Sequence, residues 1–331
     1  MKASVPISVL MTAYNAEKFI GEAIQSVLQQ TFTDFEFIIV NDGSTDGTRD
    51  IIYSFNDERI KYTEQANSGI AQALNHGLQK ANGTFIARFD ADDICYPQRL
   101  QKQYEFIKAF PQHSIIGSSV DYIDQDGEYI FTFSAPGPTS LHIDTIKWQT
   151  CPFIHSSVMY QKETVLKNDG YNPLAHSFED HLLWLSILKN GNGYNIQEPL
   201  IKVRLNPDSI TIDENWRPRK FHIIKNKVLQ KESITEDEGR QLQHILESQN
   251  TREIKEGAYH ALLAKKFLWN NYEPLKARAH LKKSIAHNKW HWKSYILFVS
   301  SFLPPLWLTK GYQWFKSRTI YPGKLLKTAH E

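Results

Sequence analysis

Between Ile7 and Asp90, short apolar runs alternate with stretches in which apolar side chains return every three or four positions. Ile7–Met11 is a run of strand length. Phe19, Ile20, Ala23, Ile24, Val27 and Leu28 then recur at helical spacing, with Asn15 placed to cap that helix. Phe35–Val40 is a second strand, closed by Asn41-Asp42-Gly43-Ser44, and the pattern predicts a helix over Gly47–Phe55. Ile60–Thr63 reads as a third strand, the set Ile70, Ala73, Leu74, Gly77 and Leu78 as a helix, and Thr84–Phe89 as a fourth strand running into Asp90. This β-α-β-α rhythm predicts a largely parallel sheet covered by helices on both faces. Ligands of such sheets bind beyond the carboxyl ends of the strands. Three of those ends are polar: Thr12-Ala13-Tyr14-Asn15, Asn41-Asp42 and Asp90-Ala91-Asp92-Asp93. The alternation predicts that they meet on one edge.

The rhythm changes from Ser114. Ile115–Ile123 and Tyr129–Phe133 read as two strands joined through Asp126-Gly127, Ile154–Tyr160 as another strand, and Phe178–Leu188 as a buried helix. Beyond Ile212 the chain becomes charged and helical, with Trp216-Arg217-Pro218 as a candidate boundary. Residues 257–288 read as a helical hairpin, with Ala258, Leu262, Ala264 and Phe267 on one helix and Ala277, Ala279, Leu281 and Ile285 on the next. The domain expectation is therefore an α/β domain over 1–212, whose pattern changes between a first part (1–113) and a second (114–212), and a helical region over 213–331.

Composition narrows the class. At 41% hydrophobic and 22% charged residues, the chain is that of a folded protein. The net charge of +2 hides a polarity. Residues 1–120 carry 10 Lys/Arg against 14 Asp/Glu, whereas residues 276–331 carry 11 Lys/Arg against Glu331 alone. Two cysteines, Cys95 and Cys151, make no disulfide framework and no zinc-spaced cluster. No apolar h-region follows Met1, and no stretch reaches the ~18 apolar residues that span a bilayer. The expectation is a cytoplasmic protein. There is no G-x-G-x-x-G after the first strand, no G-x-x-x-x-G-K-[ST] and no G-x-S-x-G, which leaves dinucleotide binding, P-loop chemistry and a serine-hydrolase elbow unsupported.

Four constellations could carry chemistry. Asp90 and Asp92, at i and i+2 past a buried strand, can offer one carboxylate to a hard divalent cation and one to a ribose hydroxyl. The structural alternative is a polar loop capping a helix from Tyr96-Pro97. Asp42 can accept from a base or ribose, or simply form a turn with its neighbours. Glu179-Asp180 opens a helix, where acids suit the macrodipole. Either can also serve as a general base. His155, beside Ser156 and Ser157, is a candidate metal or phosphate ligand and equally a structural histidine.

Taken together, Ile7–Asn15, Phe37–Asp46, Asn67-Ser68-Gly69-Ile70 with Ala73-Leu74-Asn75, Phe89–Asp93 and Glu179–Trp184 resemble glycosyltransferase family 2, inverting enzymes of the GT-A fold of the bacterial surface-polysaccharide type. The five segments occur in family order within residues 5–212. The resemblance implies an α/β GT-A fold, a mixed, mostly parallel sheet between helices, with a C-terminal helical extension. It implies that Thr12, Ala13, Tyr14 and Asn15 line a nucleotide pocket with Asp42, that Asn75 and Arg88 lie near the donor, and that Asp90 with Ala91 meets the ribose or sugar. It assigns Mg²⁺ or Mn²⁺ to Asp92, and the catalytic base to Asp180, with Glu179 adjacent. One departure stands out. Many relatives carry Tyr-Arg-x-His before Ser-x-Ser, and here the stretch is Val203-Arg204-Leu205-Asn206, then Ser209-Ile210-Thr211. With Asn206 in place of that histidine, His155 becomes a candidate metal ligand.

The expected partners are a nucleotide-sugar donor, with uridine diphosphate the family's commonest nucleotide, and a saccharide acceptor, free or lipid-linked, with no nucleic acid. Tyr295–Leu308 is an apolar run flanked or occupied by Trp290, Trp292, Trp307 and Trp314 and surrounded by Lys289, Lys293, Lys310, Lys316 and Arg318. It suits peripheral attachment to the anionic inner face of the plasma membrane, or a terminal helix packed on the protein. The competing functional classes are a nucleotidyltransferase, which would show a Gly-rich basic loop after the first strand, and a non-catalytic nucleotide-sugar-binding module.

Overall fold

The structure is a computed structural model that describes residues 5–207, 217–249 and 252–308. In chain order the elements are β1 (Ile7–Ala13), α1 (Ile20–Leu28), β2 (Phe35–Asn41), α2 (Thr48–Tyr53), β3 (Ile60–Glu64), α3 (Ile70–Lys80), β4 (Phe85–Asp90), β5 (Ile94–Cys95), α4 (Arg99–Ala109), β6 (His113–Ile123), β7 (Tyr129–Phe133), α5 (Ser140–Ile146), β8 (Met159–Gln161), α6 (Lys162–Lys167), α7 (Glu179–Ile187), β9 (Asn192–Arg204), α8 (Arg219–Lys231), α9 (Glu236–Gln249), α10 (Arg252–Trp269), α11 (Pro274–His287) and α12 (Trp292–Ser300).

The strands form one mixed sheet in the order β3-β2-β1-β4-β8-β6-β9-β5, with β7 on β6. β3, β2, β1 and β4 are parallel, as the alternation predicts. β1 and β2 are buried on both faces, which is why their sequences are nearly continuous apolar runs. Period-two geometry sorts their side chains. Ile7, Val9 and Met11 pack with Ile20, Ala23, Ile24 and Val27 of α1 on one face. Leu10, Ile38 and Val40 meet Ala73, Leu74 and Leu78 of α3 on the other. A Cβ added to Gly77 of α3 would lie within 2.2 Å of Leu10 Cδ1, so a glycine lets this helix settle on β1.

β6 and β9 pair in parallel over their whole length, with register shifts around Ser118 and Ser119, opposite Pro199. Proline cannot donate to a ladder, and the irregular register accommodates it there. Contacts group residues up to Leu205 with Arg217–Gln249 in one compact unit. Within it, Phe221, Val228 and Leu229 of α8 and Leu242 of α9 pack on Phe178, Leu182 and Leu185. A second unit holds α10, α11 and α12, so the chain has the helical C-terminal extension that was expected. The expected boundary at 212 lies outside the described residues, as do Ser209-Ile210-Thr211, Lys310, Trp314, Lys316 and Arg318.

Three local readings differ from expectation. Asn15 does not cap α1. It sits at φ 48°, a left-handed conformation asparagine tolerates, and Phe19 holds the N-cap position. Its Oδ1 accepts from Thr45 N at 2.8 Å, tying the first strand-end loop to the second. Residues 154–160 are not one strand: His155–Ser157 form a 3-10 turn before the three-residue β8. The acids after β4 do not cap α4, because β5 intervenes and Gln98 takes the N-cap position.

Candidate active site

The three polar strand ends do meet. β1 lies between β2 and β4, and the register sets Thr12 beside both Val40 and Asp90, and Ala13 beside Asn41. Asp42 N donates to Ala13 O at 2.8 Å. Tyr14 follows the end of β1 and is 53% exposed.

Asp42 itself is buried and heavily engaged. Its Oδ1 accepts from Gln65 Nε2 (2.7 Å) and Ser68 N (3.0 Å), and its Oδ2 from Gly69 N (2.9 Å). It therefore shapes the loop that leads into α3. Gly43 follows at φ 75°, where an added Cβ would stand 2.6 Å from Asn67 N, so that turn needs glycine.

At the end of β4, Arg88 is fully buried and ion-paired with the partly exposed Asp90. Behind it, Arg99 of α4 donates through Nη2 to Arg88 O at 2.7 Å, bracing the strand. Ala91 is buried and Asp92 partly exposed. Asp93 turns inward. Burial, then the charges of Asp92 and Asp90, push its carboxyl well above the usual carboxylate range, and its Oδ1 accepts from Arg204 N at 2.9 Å. Arg204, buried at the end of β9, also donates through Nε to Asp92 O (2.9 Å) and through Nη2 to Glu22 Oε2 (2.6 Å), with its guanidinium over Phe19. Neither Asp93 nor Arg204 was singled out from sequence. The third acid of the Asp-Ala-Asp-Asp run was the available signal for the first. The Arg of the Val203-Arg204-Leu205 stretch was the signal for the second.

The other half of the site is the first turn of α7. Trp184, fully buried three residues beyond His181, is ringed by Phe153, His155, Tyr160 and Tyr171. That aromatic cluster seats the helix. Glu179 is buried, and its pKa is pushed up to about 7 by desolvation and by the neighbouring Asp180 carboxylate; the charges of Arg88 and Asp90 reach it as well. The α7 pair and the end of β4 thus share one electrostatic neighbourhood. Asp180 is partly exposed, accepting from His181 N at 2.6 Å and from Cys151 Sγ at 3.7 Å. The thiol is held up by burial and by Asp180.

One expected donor contact, Asn75, and one expected metal ligand, His155, have partners within the protein. Asn75 makes a reciprocal pair with the Tyr171 backbone, donating to its O (2.7 Å) and accepting from its N (2.8 Å). His155 is half-buried, and its Nε2 meets Tyr171 Oη at 3.2 Å. Burial and the Arg88 charge hold its imidazole well below the usual histidine range. Among the described residues, no group of three metal-ligating side chains includes Asp92 or His155.

The sequence profile of the family described as "Glycosyl transferase family 2" matches residues 8–167, a span holding every strand end described above. EpsE of Bacillus subtilis, a protein named as a glycosyltransferase, is 34% identical over 218 residues, covering 63% of this chain and 76% of EpsE. The chain belongs to glycosyltransferase family 2. As a family member it is similar also to the O-antigen biosynthesis glycosyltransferase WbnJ of Escherichia coli, at 31% identity over 209 residues, 61% of this chain and 81% of WbnJ. A longer relative, an uncharacterized glycosyltransferase of Rickettsia bellii, is matched over 30% of its length. Two solved structures share the GT-A fold. S. aureus TarS in complex with UDP-GlcNAc has a TM-score of 0.56 at 17% identity, covering 94% of this chain and 92% of that one. The mannosyltransferase PcManGT from Pyrobaculum calidifontis, with GDP-Man and Mn²⁺, has a TM-score of 0.53 at 16% identity, covering 95% and 84%. This family 2 chain is a glycosyltransferase, which removes the nucleotidyltransferase and non-catalytic readings.

Proposed function

We propose that the enzyme moves a sugar from a nucleoside diphosphate donor, uridine diphosphate for preference, to a hydroxyl of a saccharide acceptor, with inversion, in the assembly of a bacterial surface polysaccharide. What carries the proposal is the shared neighbourhood of Arg88, Asp90, Glu179 and Asp180 at the edge where three strand ends converge. The similarity to TarS in its UDP-GlcNAc complex and to WbnJ, named for O-antigen biosynthesis, supports the donor and acceptor classes.

Asp180 takes the proton of the acceptor hydroxyl as its oxygen attacks the anomeric carbon. The bond from that carbon to the diphosphate oxygen breaks, and the configuration inverts. Glu179 tunes this base by its adjacent charge. Asp90, oriented by Arg88, faces the ribose or sugar, and Thr12, Ala13 and Tyr14 wall the nucleotide. Three carboxylates within four residues at the end of β4, Asp90, Asp92 and Asp93, are a donor set that fits a divalent cation there. Mg²⁺ or Mn²⁺ on Asp92 would neutralise charge on the leaving diphosphate. His155 is satisfied by Tyr171, and the metal assignment rests on Asp92.

A panel of nucleotide-sugars with Mn²⁺, scored for donor hydrolysis and thermal stabilisation, tests the donor assignment. One donor should stand out in the wild type, and Asp92→Ala should lose metal-dependent nucleotide binding by calorimetry. Unchanged affinity in that variant would remove Asp92 from the metal.

We further infer a peripheral membrane contact, through which the enzyme reaches a lipid-linked acceptor. Trp290, Trp292, Val299, Phe302, Leu306 and Trp307 are all more than 60% exposed, near Lys289 and Lys293. Aromatic and basic side chains around a short apolar stretch suit an anionic interface. No helix among the described residues is long and apolar enough to cross a membrane. Flotation with anionic but not neutral liposomes is expected; no flotation with either overturns the inference.

A further inference from the structure

The second unit contains a cluster that the transfer reaction does not use. Glu256 and His260 lie four residues apart on α10, so they share one face of that helix. His287, on α11, brings its ring to the same place, 6.2 Å from the His260 ring and inclined 29° to it. One ligand atom from each of Glu256, His260 and His287 lies within 4.8 Å of the others. A tetrahedral zinc with bonds of about 2.1 Å holds its ligand atoms about 3.4 Å apart. The set would therefore have to close by no more than about 1.4 Å on binding the ion.

The surroundings are built for this. His260 is buried, 8% exposed. Its Nε2 points to Glu256 Oε2 at 3.9 Å, while its Nδ1 meets His280 Nδ1 at 3.0 Å. The tautomer with the proton on His260 Nδ1 directs that proton to His280 and leaves the Nε2 lone pair facing Glu256. Metal-ligating histidines regularly give the proton of their other ring nitrogen to an acceptor, which fixes tautomer and orientation, and His280 Nδ1 is placed to be that acceptor. The helix register is held one residue away, where Ser284 Oγ donates to Gly257 O at 3.0 Å.

We propose that Glu256, His260 and His287 bind a divalent transition metal, Zn²⁺ by the match of two imidazoles and one carboxylate, and that the ion clasps α10 to α11. Two nitrogens and one oxygen distinguish this site from the all-carboxylate acids after β4, which suit harder cations. His280 acts on the site as a positioning residue. The proposal is independent of the reaction assigned above.

Full-length protein carrying Asp92→Ala, with wild type in parallel, is stripped with chelator and titrated with Zn²⁺ by calorimetry and with Co²⁺ by visible absorption. One equivalent should bind, with the absorption of low-coordinate Co²⁺, and Zn²⁺ should raise the unfolding temperature. His287→Ala, at an exposed position, and Glu256→Gln should each weaken Zn²⁺ binding at least ~10-fold and abolish the thermal shift, with unchanged far-UV circular dichroism. His280→Phe removes the partner of His260 Nδ1 and should weaken binding about 10- to 100-fold. Equal Zn²⁺ affinity in the Asp92→Ala protein with and without His287→Ala or Glu256→Gln, or no bound equivalent at all, overturns the site.

Discussion

Arg204 Nε donates to the backbone oxygen of Asp92 at 2.9 Å, across 112 positions of sequence. The same side chain reaches Glu22 through Nη2 and lies over Phe19, while its backbone N–H donates to Asp93. The end of β9 thereby clamps the acidic loop after β4 at two successive residues, and Asp92 has a fixed place from which to work. Lysine keeps the charge and loses the planar fork. Arg204→Lys should stay folded, yet weaken Mn²⁺-dependent nucleotide binding roughly tenfold, the equivalent of one charge-assisted hydrogen bond at about 1.4 kcal/mol. Calorimetry with and without Mn²⁺ checks this, and an unaltered metal-dependent increment would dismiss the clamp.

Glu179 ties stability to pH. Burial and Asp180 raise it from 4.5 to about 7, so between these values the folded protein keeps a proton that the unfolded chain has released. The unfolded state binds fewer protons in that window, and stability therefore falls as pH rises through it, by on the order of 3 kcal/mol in total. Glu179→Gln removes the titration. In urea unfolding without donor at about pH 5 and about pH 7.5, the variant should gain on the wild type at the higher pH. Comparing the difference between the two proteins cancels the contributions of Asp93 and His155. Parallel pH profiles would place Glu179 in a less desolvated setting.

Asn75 is a second long-range tie. Its amide pairs both ways with the Tyr171 backbone, holding the loop that leads into α7 against α3. Asn75→Ala leaves a buried N–H and C=O without these partners, at a cost of about 1–3 kcal/mol. Because Tyr171 is also a wall of the Trp184 cluster, the turn bearing Asp180 loosens with it. Denaturant unfolding should show the loss of stability, and kcat should fall more than donor affinity. A variant as stable as wild type would mean that the loop is held by other contacts.

Which parts of this site could be read in advance follows from the range of the interactions. β1, β2 and β4 are central parallel strands, so burial on both faces writes itself into the sequence as apolar runs, and the acids after Phe89 stand at the break. β9 left no such mark, because Pro199 and the irregular register opposite Ser118 and Ser119 interrupt its alternation. Side-chain assignments were harder. Asp42 and Asn75 occur where the family resemblance places ligand contacts, but their oxygens and amide hold backbone of the loop at 65–69 and of Tyr171. His155 is likewise drawn to Tyr171. A residue's type and its local spacing cannot distinguish a group offered to a ligand from one satisfied by a partner in another element. Arg204 was passed over for the same reason.

In the mechanism we propose, Asp180 carries the proton transfer. Its carboxylate stands in the first turn of α7, where Oδ1 accepts from the N–H of His181 and Oδ2 from the Cys151 thiol, and it remains partly exposed. A base must be open to its substrate and held at a fixed angle, and this position meets both conditions. Asparagine preserves the size and the contact with His181 N–H while removing the ability to take a proton. Asp180→Asn should therefore lower kcat by roughly 10²–10⁴-fold, the usual contribution of a positioned general base, with donor affinity within about twofold of wild type. Single-turnover transfer alongside calorimetric donor binding separates the two effects. Should the variant turn over at the wild-type rate, proton removal does not belong to Asp180, and Glu179, whose pKa near 7 suits the task, becomes the candidate to substitute next.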